Sequence, residues 1–333
     1  MDTTKVILLK NRPNGKPSQS DFECREEDIP TINDGEILLK TLYVSVDPYL
    51  RGRMRDAKSY VAPFKLNEPI TSGIVAEVID TKNQNFSKGD IVSGMLAWKE
   101  IQKSNGEQLQ KVSKEKAPFP AYLGTLGMTG LTAYFGLKEI GKLKEGETLL
   151  VSGAAGAVGS IVGQIGKIKG CKVVGVAGTD EKVHMLTSDF GFDDAFNYNT
   201  EDNITKAIGR TCPDGVDVYW DNVGGELADA VFFHINQKAR IVNCGAIAVY
   251  NETSIPKGVS PQPFLIKNSA SMQGFIVSNY MSDFPEGIKQ LTQWYTEDKL
   301  KHEDTIVQGF DNIPQAFIDL FDGKNSGKMV VKV

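Results

Sequence analysis

Gly153, Gly156 and Gly159 punctuate the run Thr148-Leu-Leu-Val-Ser-Gly-Ala-Ala-Gly-Ala-Val-Gly-Ser160, with Ala154, Ala157 and Val158 between them. Glycines at this spacing do anion chemistry. Gly156 lets a backbone approach a pyrophosphate, Gly159 lets a helix pack closely on a strand, and the amides freed at the helix start face the anion. The fingerprint departs at its first glycine, which is Ala154 here, with Gly153 just ahead of it. A lone glycine pattern is weak evidence, so its setting decides. A short apolar run precedes this one, and Val158, Ile161, Val162, Ile165 and Ile168 follow on one helical face. Strand, turn and helix in that order suit a dinucleotide.

The next residues choose between dinucleotides. Residues 170–177 read as a second strand, where an NAD site commonly places an acid on the ribose hydroxyls. Here the strand runs into Gly178 and Thr179, followed by Asp180, Glu181 and Lys182. Asp180 could serve as that acid, slipped along the chain. Alternatively the small residues leave room for a 2′-phosphate, Lys182 supplies its counter-charge, and Tyr198, after a third strand at 194–198, closes the same pocket. Small residues at the strand end recognise a ribose poorly, which favours NADP(H). The bland alternative for Lys182 is a solvated lysine at a helix start.

These side chains need a scaffold that delivers them to one edge. Runs at 216–220, 239–244 and 271–277 continue the strands, with helical stretches at 181–190, 200–208 and 226–234 between them. Six strands alternating with helices predict a doubly wound α/β sheet of Rossmann type, with ligands at the strand C-termini. Asn222 and Gly245 then stand at strand exits, where a nicotinamide ribose would pass. Asn222 could equally make only a local Asx turn.

Before this unit the texture changes to short alternating runs at 4–9, 36–46, 73–80 and 90–97, separated by turns such as Asn33-Asp-Gly35. That predicts a small antiparallel β domain or barrel. Residues 99–116 are polar and lysine-rich and read as exposed loop and strand edge. Near the end, 310–321 reads as an amphipathic helix, and a final strand at 328–333 returns to the β domain and makes it discontinuous. The expected division is 1–124 with 300–333 for the β-rich domain, and 125–299 for the nucleotide domain.

Composition narrows the function class. A chain of 333 residues suggests two domains, and a net charge of −5 without a long basic run argues against nucleic acid. No apolar run is long enough to span a bilayer. The N-terminus enters a strand directly, so no signal peptide is expected and the cytoplasm is the expected place. Cys24, Cys171, Cys212 and Cys244 are scattered, and His184, His234 and His302 lie beside none of them. A catalytic zinc wants three clustered protein ligands, so no metal is expected.

Several segments taken in order, namely Ser45-Val-Asp-Pro-Tyr-Leu-Arg51, Leu126-Gly-Met-Thr-Gly-Leu-Thr-Ala-Tyr-Phe135, the glycine-rich turn, Asp221-Asn-Val-Gly-Gly225, Cys244-Gly-Ala-Ile-Ala-Val-Tyr-Asn251 and Gly323-Lys-Asn-Ser-Gly-Lys328, have a common look. The chain resembles the zinc-free medium-chain dehydrogenase/reductases, in the branch of prostaglandin reductases, plant alkenal double-bond reductases and bacterial NADP-dependent oxidoreductases. The resemblance implies a GroES-like domain joined to a Rossmann domain, with the active site in the cleft between them. It further implies NADPH-dependent reduction of the C=C bond of α,β-unsaturated aldehydes and ketones, and a homodimer. It places the 2′-phosphate contact on Lys182 with Tyr198 beside it, and the nicotinamide contacts on Met128, Thr129, Asn222, Cys244 and Asn325. The active-site tyrosine falls on Tyr250, with Tyr49 on the opposite wall. One departure bears on the pocket: this chain reads Ile70-Thr-Ser-Gly73 where some of these reductases carry a further tyrosine.

The chemistry fits a tyrosine. Hydride addition to the β-carbon of an enone drives charge onto the carbonyl oxygen, which needs a donor, and the α-carbon then needs a proton. A neutral phenol is such a donor at pH 7. The cofactor's ribose hydroxyl is a second candidate. A quinone reductase would share fold, cofactor and lack of zinc, and would need no particular tyrosine. A non-catalytic NADPH-binding protein would bind without turnover.

Overall fold

The computed structural model describes residues 3–333, which divide into two compact units. One unit runs to Leu123 and takes up the chain again over Asp304–Asn325 and Met329–Val333; the other comprises Gly124–Glu303 and Ser326–Lys328. Ser326–Lys328, expected in the β-rich domain, thus belongs with the nucleotide unit.

The first unit opens with β1 (Thr3–Leu9) paired antiparallel with β2 (Phe22–Asp28). β3 (Ile37–Ser45), β4 (Thr71–Thr81), β5 (Ile91–Ala97), β6 (Ile101–Ser104) and β7 (Gln110–Lys111) follow, with a one-turn α1 (Leu50–Arg53) after β3. The turn Asn33-Asp-Gly35 admits the chain to β3 because Gly35 takes a left-handed φ of +83°. Ile37, Leu39 and Val44 of β3 are fully buried, as are Ile74, Val78 and Val92 of its neighbours. Trp98 is completely enclosed among them, and its indole N–H still finds Ser72 Oγ at 2.8 Å, so no buried donor is stranded. The polar stretch 99–116 contributes β6 and β7, with Gln102 buried, alongside exposed loop.

The second unit is a six-stranded, all-parallel sheet built from β8 (Thr148–Val151), β9 (Lys172–Ala177), β10 (Asp194–Asn197), β11 (Val216–Asp221), β12 (Ile235–Asn243) and β13 (Ser271–Gly274). Their order across the sheet is β10-β9-β8-β11-β12-β13. β8 is buried at every position, as a central strand covered on both faces must be. β13 stops at Gly274, short of the expected Val277, because the chain turns into a 3-10 segment over Val277–Asp283. Helices α2 (Met128–Phe135), α3 (Gly159–Ile168), α4 (Asp180–Ser188), α5 (Ile204–Thr211), α6 (Gly225–Val231), α7 (Gln262–Asn268) and α8 (Phe284–Thr296) belong to this unit. Ile161, Val162 and Ile165 of α3 are buried, the face expected from their spacing. Strand order reverses between β8 and β11, so the turns that leave these two strands lie side by side at a switch point.

The chain then re-enters the first unit with β14 (Asp304–Gln308), α9 (Ile313–Asp319) and β15 (Lys328–Lys332). These strands complete a seven-stranded sheet, β14-β15-β3-β4-β5-β7, with β6 on β3. The amphipathic stretch 310–321 is helical, but its two ends tighten into 3-10 turns around α9. Ile313, Ala316 and Phe317 carry its buried face. No helix among the described residues is long and apolar enough to cross a membrane.

Candidate active site

The turn after β8 is pinned before it reaches any ligand. Gly153 adopts a left-handed φ of +56°, the sharp bend that the displaced first glycine would otherwise make. Ala154, fully buried, donates its N–H to Val176 O at 3.0 Å, so the turn hangs on β9. A Cβ at Gly159 would stand 2.4 Å from Gly153 O, so only glycine allows α3 to start there. Among the described residues no acceptor is found for the backbone N–H of Ala157 or Val158. Two unpaired amides at the start of a ten-residue helix make a cradle for an anion.

Beside it, the turn after β11 is organised by a buried carboxylate. Asp221 Oδ1 accepts from Ser152 Oγ (3.0 Å), Tyr219 OH (2.9 Å), Val223 N (2.9 Å) and Gly224 N (2.8 Å). Burial first, and the Asp221 charge second, push the Tyr219 phenol well above its ordinary pKa, so it stays a donor. Asn222 donates its side-chain N–H to Ser152 O at 2.7 Å and accepts from Trp220 Nε1 at 3.0 Å. Its amide therefore ties two strand exits together, which favours the structural reading of this residue while leaving one N–H in reserve. Neither Ser152 nor Asp221 stood out in the sequence as a site residue. Both lie within motifs that did, and only their pairing reveals the bond between the turns.

At the exit of β12, the N–H groups of Cys244 and Gly245 both donate to Asp221 O, at 2.9 and 3.1 Å. The half-buried Cys244 thiol is pushed up to about 12, by desolvation before the Asp221 charge, so it is a neutral thiol there. Tyr250 follows a short 3-10 turn, and its phenol oxygen accepts the N–H of Ala246 at 3.2 Å. A Cβ added to Gly245 would lie 3.3 Å from that oxygen, so the bare backbone makes room for it. At the first turn of α2, Thr129 is 5% exposed and its hydroxyl has no partner among the described residues. Met128 is half-buried one residue earlier.

The residues expected to choose between dinucleotides lie where β9 runs into α4. Thr179 caps α4 by accepting Lys182 N–H on its hydroxyl at 3.3 Å. Lys182 is half-buried, and desolvation lowers its pKa. A Cβ on Gly178 would come within 2.9 Å of the Tyr198 hydroxyl, so this ring, 42% exposed, stands over the strand end. Asp180, the rival candidate, accepts from Asn197 Nδ2 at 2.8 Å and is thereby engaged in holding the α4 start against β10.

Two candidates belong to the first unit. Tyr49 is the N-cap of α1 and packs against that unit's core, where burial raises its phenol pKa and Asp47 adds to the shift. Asn325 is half-buried at the end of the segment Asp304–Asn325. Among the described residues no group of three or more His, Cys, Asp or Glu side chains could hold a metal ion.

Comparison with known proteins gives the family. Residues 5–112 match a family described as the N-terminal domain of oxidoreductase, and 157–293 match one described as zinc-binding dehydrogenase. The chain is 54% identical over 329 residues to YfmJ of Bacillus subtilis, a provisionally named NADP-dependent oxidoreductase, covering 98% of this chain and 97% of that one. The chain belongs to the medium-chain dehydrogenase/reductases. Within them it sits in the branch of prostaglandin, curcumin and 2-alkenal reductases. It is 44% identical over 339 residues to rat prostaglandin reductase 1, with all of both chains covered. The solved structure of CurA from Vibrio vulnificus in complex with NADPH superposes with a TM-score of 0.94 at 41% identity, over 99% of each chain. This enzyme is thus an NADP(H)-dependent oxidoreductase of that type. Its own residues fit the cofactor: unpaired amides for a pyrophosphate, a lysine beside a glycine for a 2′-phosphate, and a buried unpartnered Thr129 hydroxyl for a polar group of the nicotinamide end.

Proposed function

We propose that this enzyme reduces the C=C bond of α,β-unsaturated aldehydes and ketones, and that Tyr250 is the group that takes the charge of the carbonyl oxygen. NADPH, when bound, supplies the hydride that goes to the β-carbon. Ala157 and Val158 amides would hold its pyrophosphate, Lys182 and Tyr198 its 2′-phosphate, and Thr129, Met128 and Cys244 its nicotinamide end.

One observation carries the reading. Tyr250 stands at a strand exit with its oxygen fixed by the Ala246 N–H. A phenol that accepts a backbone hydrogen bond is polarised toward giving its own proton, because chains of hydrogen bonds strengthen one another. Such a donor lowers the barrier as negative charge grows on an enone oxygen, and matters little for merely binding the substrate. The neutral Cys244 thiol at the same exit is a poor nucleophile, which suits a site that admits electrophilic enals. Tyr49 is a second tyrosine candidate, kept protonated by burial.

Two coarser features complete the proposal. β13 is exposed at every position on the sheet edge, with Met272 39% exposed, and an uncovered edge of this kind supports a homodimer. The four cysteines are all free, which accords with a reducing compartment such as the cytoplasm.

The test is a panel of enals, enones and quinones assayed for NADPH consumption, with the products identified by NMR. Saturated carbonyl products, labelled at the β-carbon when deuterated NADPH is used, are expected. Allylic alcohols, or turnover confined to quinones, would overturn the proposal.

A further inference from the structure

The motif Gly323-Lys-Asn-Ser-Gly-Lys328 contains three residues, Ser326–Lys328, that leave the first unit's sequence block and belong with the nucleotide unit. Gly327 N–H donates to Ala155 O at 2.7 Å, and Gly327 forms an isolated parallel bridge with Gly156. Lys328 N–H in turn donates to Glu303 O at 2.8 Å. Gly327 has a left-handed φ of +62°, and a Cβ there would fall 1.9 Å from Glu303 O. No other residue type could occupy that space without moving the 303 backbone.

The 303 backbone is itself anchored to α3. Gln164, 4% exposed, accepts Lys301 N–H at 2.7 Å and donates to Lys301 O at 3.1 Å. It also donates to Ser160 O at 3.1 Å, in the first turn of the helix that the glycine-rich turn begins. Three stretches of chain are therefore locked together: α3 to 301–303, that stretch to Gly327–Lys328, and Gly327 to the turn.

We propose that Ser326–Lys328 is a backbone clasp on the pyrophosphate turn and that Gly327 is its positioning residue. Ala155 O is occupied by Gly327 N–H, which fixes the peptide plane just ahead of the unpaired Ala157 and Val158 amides and keeps that carbonyl from competing for the space of an anion. The clasp acts on the shared diphosphate part of the cofactor, so it does not distinguish NADPH from NADH. It rests on the turn being the diphosphate cradle and is independent of the reduced substrate.

The test uses the full chain with Gly327→Ala and Gln164→Met, the latter removing the anchor at a distance with little change in volume. Kd for NADPH and for NADH is measured by fluorescence titration without substrate, alongside kcat at saturating NADPH. Gly327→Ala should raise both Kd values by the same factor, about tenfold or more, with saturated kcat within about twofold of wild type. Gln164→Met should move both Kd values in the same direction by about twofold to tenfold, the size of one or two lost hydrogen bonds. Unchanged Kd in either folded variant, a loss confined to NADPH, or a fall in kcat at unchanged Kd would overturn the clasp. Should Gly327→Ala fail to fold, the Gln164→Met titration decides alone. Gly156→Glu sets the reference by placing a carboxylate in the turn: if it binds NADPH normally, the cradle assignment is what has failed.

Discussion

Lys182 offers the sharpest test of cofactor choice. The side chain is half-buried beside Gly178 and Tyr198, and desolvation alone accounts for its lowered pKa. Its charge is thus disfavoured in the cofactor-free fold and gains most from an arriving phosphate. A hydrogen bond to a charged group contributes about 1.5–3 kcal/mol, so Lys182→Ala should weaken NADPH binding about 12-fold to 150-fold. NADH, which lacks the phosphate, should change by less than about twofold. The pH dependence has a definite sign. With the folded pKa below 10.5, the free enzyme loses this proton before an ordinary lysine would. The ratio of NADPH to NADH affinity should therefore fall as pH climbs toward 10.5. Over the same window the unfolded chain binds more protons than the folded one, so wild type should gain stability relative to Lys182→Ala. Titrations of both cofactors from neutral to alkaline pH, with thermal melts in parallel, read all of this. An equal loss for both cofactors, or a ratio flat with pH, refutes the reasoning.

Three further outcomes follow from the same geometry. Tyr250→Phe keeps the ring while removing the oxygen that accepts Ala246 N–H, so cofactor Kd should hold while kcat for enones falls toward the low end of about 10²–10³; stopped-flow traces with enones and quinones compare the two classes, and the quinone rate should change little. Asp221→Ala leaves the buried Tyr219 hydroxyl and two turn amides without their acceptor, while the Ser152 hydroxyl keeps Trp220 O, so denaturant melts should show a loss of about 3 kcal/mol, whereas Asp221→Asn should lose less. Prolonged dialysis against a strong chelator should leave turnover intact, with elemental analysis of the dialysed protein as the check.

The elements that the sequence made legible are those whose pattern is local. β8, β9 and β11 are short, apolar and bounded by turns, and α3 follows a glycine signal, so periodicity alone located them. β2 escaped because Phe22-Glu-Cys-Arg-Glu-Glu-Asp28 has no apolar alternation; it is a strand through its pairing with β1. β13 ends at Gly274 although Phe275, Ile276 and Val277 look like strand residues, because the chain winds into a 3-10 segment from Val277.

What the amino-acid order by itself determined was the inventory: a glycine-rich turn, a lysine after small residues, a tyrosine after a strand, and the alternation of strands and helices that dictates a doubly wound sheet. Each is written in residues near one another, where sterics and burial period act. Only the tertiary structure decided how those pieces bear on one another. Asp221 became the knot between two turns, Asp180 was drawn to Asn197, Thr129 was left with an unpartnered hydroxyl, and Gly327, far along the chain, came to rest on Ala155. Hydrogen bonds across such separations carry no sequence signature, because either partner reads as an ordinary polar residue or glycine until the fold brings the other within 3 Å.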